Sequence, residues 1–86
     1  MTVELSPAQR ALLAAVDASG GRWDTRGIDF EYYRRSQEPI AVLDTLRELE
    51  VADLVAAVDI PGGTGPGWRL TSIGREALEG GVDTPG

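Results

Sequence analysis

Apolar residues return at helical spacing through most of this chain and gather into short continuous runs only near its end. Leu12, Leu13 and Val16 make the first stripe, set among alanines. Ahead of them, Ser6-Pro7-Ala8-Gln9 has the chemistry of a helix start: a hydroxyl that can cap, a proline with its φ preset, and a glutamine able to reach back. Gly20-Gly21 supplies the stop, so a helix is expected over 7–19. Trp23 and Thr25 favour an extended segment, a very short strand, before the break at Gly27. A second helix is expected over 29–37, with Phe30 and Tyr33 on a buried face and Arg34 and Arg35 near the surface. Pro39 opens a third element, because the residue before a proline tends to leave helical geometry. Over 39–52 the period is again helical, about 100° per residue. Val42, Leu43, Leu46 and Leu49 share one side, Ala41, Asp44 and Glu48 the other, and Thr45 and Arg47 the flanks.

The last third changes character. Asp53 suits a turn, and the β-branched, alanine-rich residues 54–60 predict a strand. Then comes "PGGTGPG", and after it Trp68-Arg69-Leu70 predicts a second strand. Thr71 can cap a short final helix with Ile73, Ala77 and Leu78 inward. Residues 80–86 are expected to be a loose tail after one domain over 1–79. The glycine run could in principle cradle phosphate, but that needs glycines leading straight into a helix and a lysine to meet the charge. Here the run lies between two strand-like segments, Gly63, Gly65 and Gly67 are spaced by two, and the chain has no lysine. A hairpin tip fits better, since glycines supply the positive φ angles that a turn requires.

The order is therefore helix, short extended piece, helix, helix, strand, glycine-rich tip, strand, helix. With "VLDTLRELEVADLVAAVD" followed by "WRLTSIGREAL", the chain resembles the winged helix-turn-helix domains of MarR-type and PadR-type bacterial transcriptional regulators. Leu49, Leu54 and Val55 match the Leu-rich turn and "GLV"-like strand of those families, and Leu70, Thr71 and Gly74 match their "LT..G" motif. The detailed match covers residues 39–79. The resemblance implies a mostly α, α+β fold: a three-helix core, a C-terminal β-hairpin wing and a short final helix. It also implies double-stranded DNA as partner, with residues 39–50 in the major groove, 61–67 as the wing, and a homodimer as the working form. A glycine usually ends the presumed recognition helix in those families, where this chain has Asp53. The long flanking dimerisation helices of MarR-type proteins are missing here.

Composition cuts into that expectation. The 86 residues carry a net charge of −6 and include no His and no Cys, and every one of the eight basic residues is an arginine. Disulfides, thiol nucleophiles, catalytic triads, Schiff bases and nearly all zinc sites are thereby excluded, so no enzyme and no cofactor is expected. No apolar run reaches the length of a membrane span, and the opening residues lack the layout of a secretory signal, so a cytoplasmic protein is expected. In the presumed recognition segment Glu38, Asp44, Glu48 and Glu50 stand against Arg47 alone, and the glycine run carries no charge. Phosphate contacts by basic residues supply the baseline affinity for DNA, and that baseline is thin here. Candidate DNA contacts are Arg22, Arg26, Arg34, Arg35, Gln37, Thr45, Arg47 and Arg69, against the plainer reading of arginines paired to nearby acids such as Glu31 or Glu38. The alternative is a winged helix used as an interaction module, with Ala41, Asp44 and Glu48 facing a basic protein partner. Trp68 is expected in the core. Trp23, Tyr32 and Tyr33 either pack under the first helix or join the arginines in an aromatic-plus-basic surface.

Overall fold

The computed structural model describes residues 5–62 and 65–80. Four helices and one hairpin follow in the order α1 (Pro7–Ser19), α2 (Thr25–Arg35), α3 (Val42–Val51), β1 (Val55–Val58), β2 (Gly67–Leu70) and α4 (Ser72–Gly80). The fold is thus mostly helical α+β, in an order compatible with a winged helix. The tail expected over 80–86 lies outside the described residues, apart from Gly80, which closes α4.

Helix α1 begins as its sequence predicts. The Ser6 hydroxyl accepts from the Gln9 N–H at 3.1 Å, and the Gln9 side chain accepts from the Ser6 N–H at 2.9 Å. Its end is a left-handed Gly20, whose N–H donates to the Asp17 carbonyl. Helix α2 starts four residues earlier than the expected 29, because the Asp24 carboxylate caps it by accepting from the Gly27 N–H at 3.0 Å. A glycine that looked like a break is instead held inside the first turn. The buried pair of α2 is Ile28 and Tyr32, spaced four apart, whereas Phe30 and Tyr33 are exposed. The extended piece before α2 is reduced to one bridge, Asp24 with Gly67.

Helix α3 starts at Val42, not at Pro39, because the connection is pinned outside helical geometry. The Tyr32 hydroxyl donates to the Glu38 carbonyl at 2.7 Å. The Tyr33 hydroxyl both donates to the Ile40 carbonyl and accepts from its N–H, each at 3.0 Å. Val42, Leu46 and Leu49 are buried, and Leu43 is exposed beside them. At the other end Asp53 takes the position that glycine usually fills. Its φ is 65°, its N–H donates to the Glu50 carbonyl, and the Leu54 N–H reaches back to Leu49. That pair of bonds is the Schellman pattern, with aspartate tolerating the left-handed backbone.

Strands β1 and β2 pair antiparallel, with Val55 opposite Leu70 and Val58 opposite Gly67. The strand is shorter than the expected 54–60. Trp68 enters the core at 2% exposure, joining Leu12, Leu13 and Val16 of α1, Ile28 and Tyr32 of α2, and Leu46 and Leu49 of α3. Its indole N–H donates to the Thr25 hydroxyl at 2.8 Å.

Two of the "LT..G" residues, Thr71 and Gly74, join the end of α3 to the last helix. The Thr71 hydroxyl donates to the Asp53 carbonyl at 2.6 Å and accepts from the Gly74 N–H at 2.9 Å, which caps α4. The inward residues of α4 are Gly74, Ala77 and, half-buried, Leu78, while Ile73 faces out. Gly74 lies so close to Leu54 that a Cβ would run into the Leu54 carbonyl oxygen. Helix propensity alone predicts that Gly74→Ala stabilises by about 1 kcal/mol. The backbone contact reverses the sign, and a loss of about 2–3 kcal/mol in urea unfolding is expected. A more stable variant would contradict this packing.

Candidate functional site

The surface expected to meet a partner is built by α2, α3 and the hairpin tip, and the arginines distribute over it unevenly. Arg34 and Arg35, both at the end of α2, reach back to one carboxylate. Arg35 Nε stands 2.8 Å and Arg34 Nη1 3.5 Å from the Glu31 oxygens, so these two positive charges are partly spent within the helix. Arg22 folds back on α1, donating from Nε to the Ser19 carbonyl at 3.2 Å, where a cation suits the negative helix end. Arg69 is exposed on β2 and lies beside Gly21; its guanidinium makes one long contact, 3.4 Å, to the carbonyl of Leu70. Gln37 is exposed in the α2–α3 connection, and Thr45 is half-buried on the flank of α3.

Arg26 and Arg47 are the exception. They line one open cleft of about 370 Å³ between the start of α2, the outward side of α3 and the hairpin tip, together with Asp24, Thr25, Asp29, Leu43, Gly65 and Pro66. Neither arginine has an ion pair among the described residues. The cleft places two cations next to two carboxylates, so its charge is balanced. Of the eight candidate contacts, the structure therefore joins two in a cleft, ties two to Glu31, and leaves the others singly placed.

The outward face of α3 is net acidic, with exposed Asp44 and Glu48 beside a single cation, Arg47. Ala41, Asp44, Glu48 and Val51 are exposed and recur at intervals of three, four and three, which puts them in one line along the helix. Val51 is 89% exposed, the most exposed of the large hydrophobic residues described. Val51 and Leu43 were not among the sequence candidates for this face, although the helical period carried the signal for Val51: it stands three residues beyond Glu48, opposite Leu46 and Leu49.

Comparison with known protein families, curated proteins and solved structures returned no match. No helix among the described residues is long and apolar enough to cross a membrane.

Thr25 links the cleft to the core through the Trp68 indole. Thr25→Val keeps the shape but removes the acceptor, leaving a largely buried N–H without its partner. A loss of about 1–3 kcal/mol is expected in urea unfolding followed by tryptophan fluorescence, with Thr25→Ser close to the parent. Equal stability of the Val and Ser variants would show the bond to be idle.

Proposed function

We propose that the chain is a winged-helix domain working as a protein-interaction module, with the outward face of α3 docking a basic partner. One observation carries this reading: the helix that would enter a DNA groove presents Asp44 and Glu48 to solvent, ending in the bare apolar Val51. A duplex carries dense negative charge, so an acidic recognition face would repel it where attraction is required. A basic protein surface meets the same face with complementary charge, and Val51 offers apolar area to bury. The sharing of Glu31 by Arg34 and Arg35 supports the reading in part, because it offsets one of the two charges that phosphate contacts would use.

A second reading, a small DNA-binding transcriptional regulator, is favoured by Arg26 and Arg47. These two cations, without an ion pair among the described residues, share the cleft beside α3 and the wing, where they could grip phosphates. Fluorescence anisotropy with random duplex at about 50 mM salt separates the two, since phosphate attraction is strongest there. The interaction reading expects no saturable binding. Saturable binding lost on Arg26→Ala and Arg47→Ala would transfer the function to DNA. Proteins captured from cells by the wild-type chain should be basic, and their yield should fall about tenfold or more with the pair Asp44→Arg and Glu48→Arg. Unchanged capture by that double variant would remove α3 from the interface.

A further inference from the structure

The α3 surface does not account for the outer side of α2. Arg26, Phe30 and Arg34 stand four apart and so form one stripe along that helix, turned away from the buried Ile28 and Tyr32. Phe30 is 70% exposed in mid-helix. It borders a pocket of about 240 Å³ whose other walls are Trp23, Gly27, Glu31 and Arg34.

The fold fixes this pocket. Trp23 lies over Gly27, where a Cβ would come within 3.1 Å of the Trp23 Cβ and 3.4 Å of its Cγ, so a larger residue would press on the indole. The neighbouring Asp24 is bridged to Gly67 of β2. The Glu31 side chain, only 13% exposed, is clamped by Arg34 and Arg35. The volume falls below the roughly 300–1,000 Å³ of sites for drug-sized molecules and suits one bulky side chain.

Charge and spacing define what could enter. Along α2, Arg26, Arg34 and Arg35 stand against Asp29 and Glu31, so the helix carries one net positive charge, and Arg26 has no ion pair among the described residues. Exposed aromatics with arginine at the edge are the residues that dominate binding energy in protein interfaces. Arg26 and Arg34 lie about 12 Å apart along the helix axis. An extended segment rising about 3.3 Å per residue covers that span in about four residues.

We infer that the outer face of α2 is a second docking surface, which takes an extended acidic segment of a partner protein. One aromatic side chain of the segment enters between Trp23 and Phe30, and carboxylates two residues to either side meet Arg26 and Arg34. The pattern is acid, any residue, aromatic, any residue, acid.

The test is a titration of ¹⁵N-labelled full chain with an acetylated, amidated peptide Gly-Glu-Ser-Phe-Ser-Glu-Gly. Shifts are expected at the Trp23 indole and the amides of 23–34. Affinity should fall about tenfold or more in Phe30→Ala and in Arg34→Glu. Phe30 is largely exposed, so Phe30→Ala should keep the remaining spectrum, and the pair Asp44→Arg and Glu48→Arg should bind the peptide undiminished. Three results would each overturn the inference: no shifts at millimolar peptide, equal binding of peptides with Ala for Phe or Lys for Glu, or shifts centred on α3. So would a concentration-dependent dimer abolished by Phe30→Arg, which would give this face to a second copy of the chain.

Discussion

The arrangement of this molecule turns on Trp68. It is the largest side chain in the hairpin, it is buried to 2%, and its one polar atom is satisfied by Thr25 at the first position of α2. A buried indole needs both close packing and a partner for its N–H. Meeting both needs at once fixes β2 against the core and the start of α2 against β2. The Asp24–Gly67 bridge adds a backbone link at the same junction. From there α2 runs to its two tyrosines, whose hydroxyls hold the connection into α3. The cleft of Arg26 and Arg47 and the slot of Trp23 and Phe30 both border the segment that this tryptophan anchors.

Much of the architecture was readable where local chemistry is self-contained. The Ser6–Gln9 box, the Gly20 stop, the helical period of α3 and the burial of Trp68 all follow from short-range rules, and all are found. The errors share a cause: a local signal had two physical uses. Gly27 read as a break because glycine disfavours helix, yet it is needed for the approach of Trp23. Pro39 read as a helix start, whereas the hydroxyls of Tyr32 and Tyr33 bind the backbone of Glu38 and Ile40, and 38–40 stay outside the helix. Phe30 read as core because it stands three residues before Tyr33, but the buried pair is Ile28 and Tyr32, which turns Phe30 outward. For the candidate surface, the sequence revealed the acidity of α3 but not which arginines would share a carboxylate. That depends on Arg34 and Arg35 both reaching Glu31.

The "LT..G" motif illustrates why a resemblance in fold does not carry function with it. Leu70 belongs to β2, Thr71 joins the end of α3 to the start of α4, and Gly74 lets α4 touch the Leu54 carbonyl. Each residue serves the joint between hairpin and last helix, and none of them faces the cleft or the acidic line. Such a joint leaves open what the outer face of α3 does.

The opposite signs on α2 and α3 have a consequence for the rates of encounter. A chain of net charge −6 attracts a basic protein from a distance, so the proposed docking on Asp44 and Glu48 would be assisted before any surfaces touch. An acidic segment approaches against that same field. It feels the Arg26–Phe30–Arg34 stripe only within the Debye length, about 8 Å at physiological ionic strength. Added salt therefore slows the first association and eases the approach of the second. Ionic strength alone would then shift the order in which the two proposed partners bind.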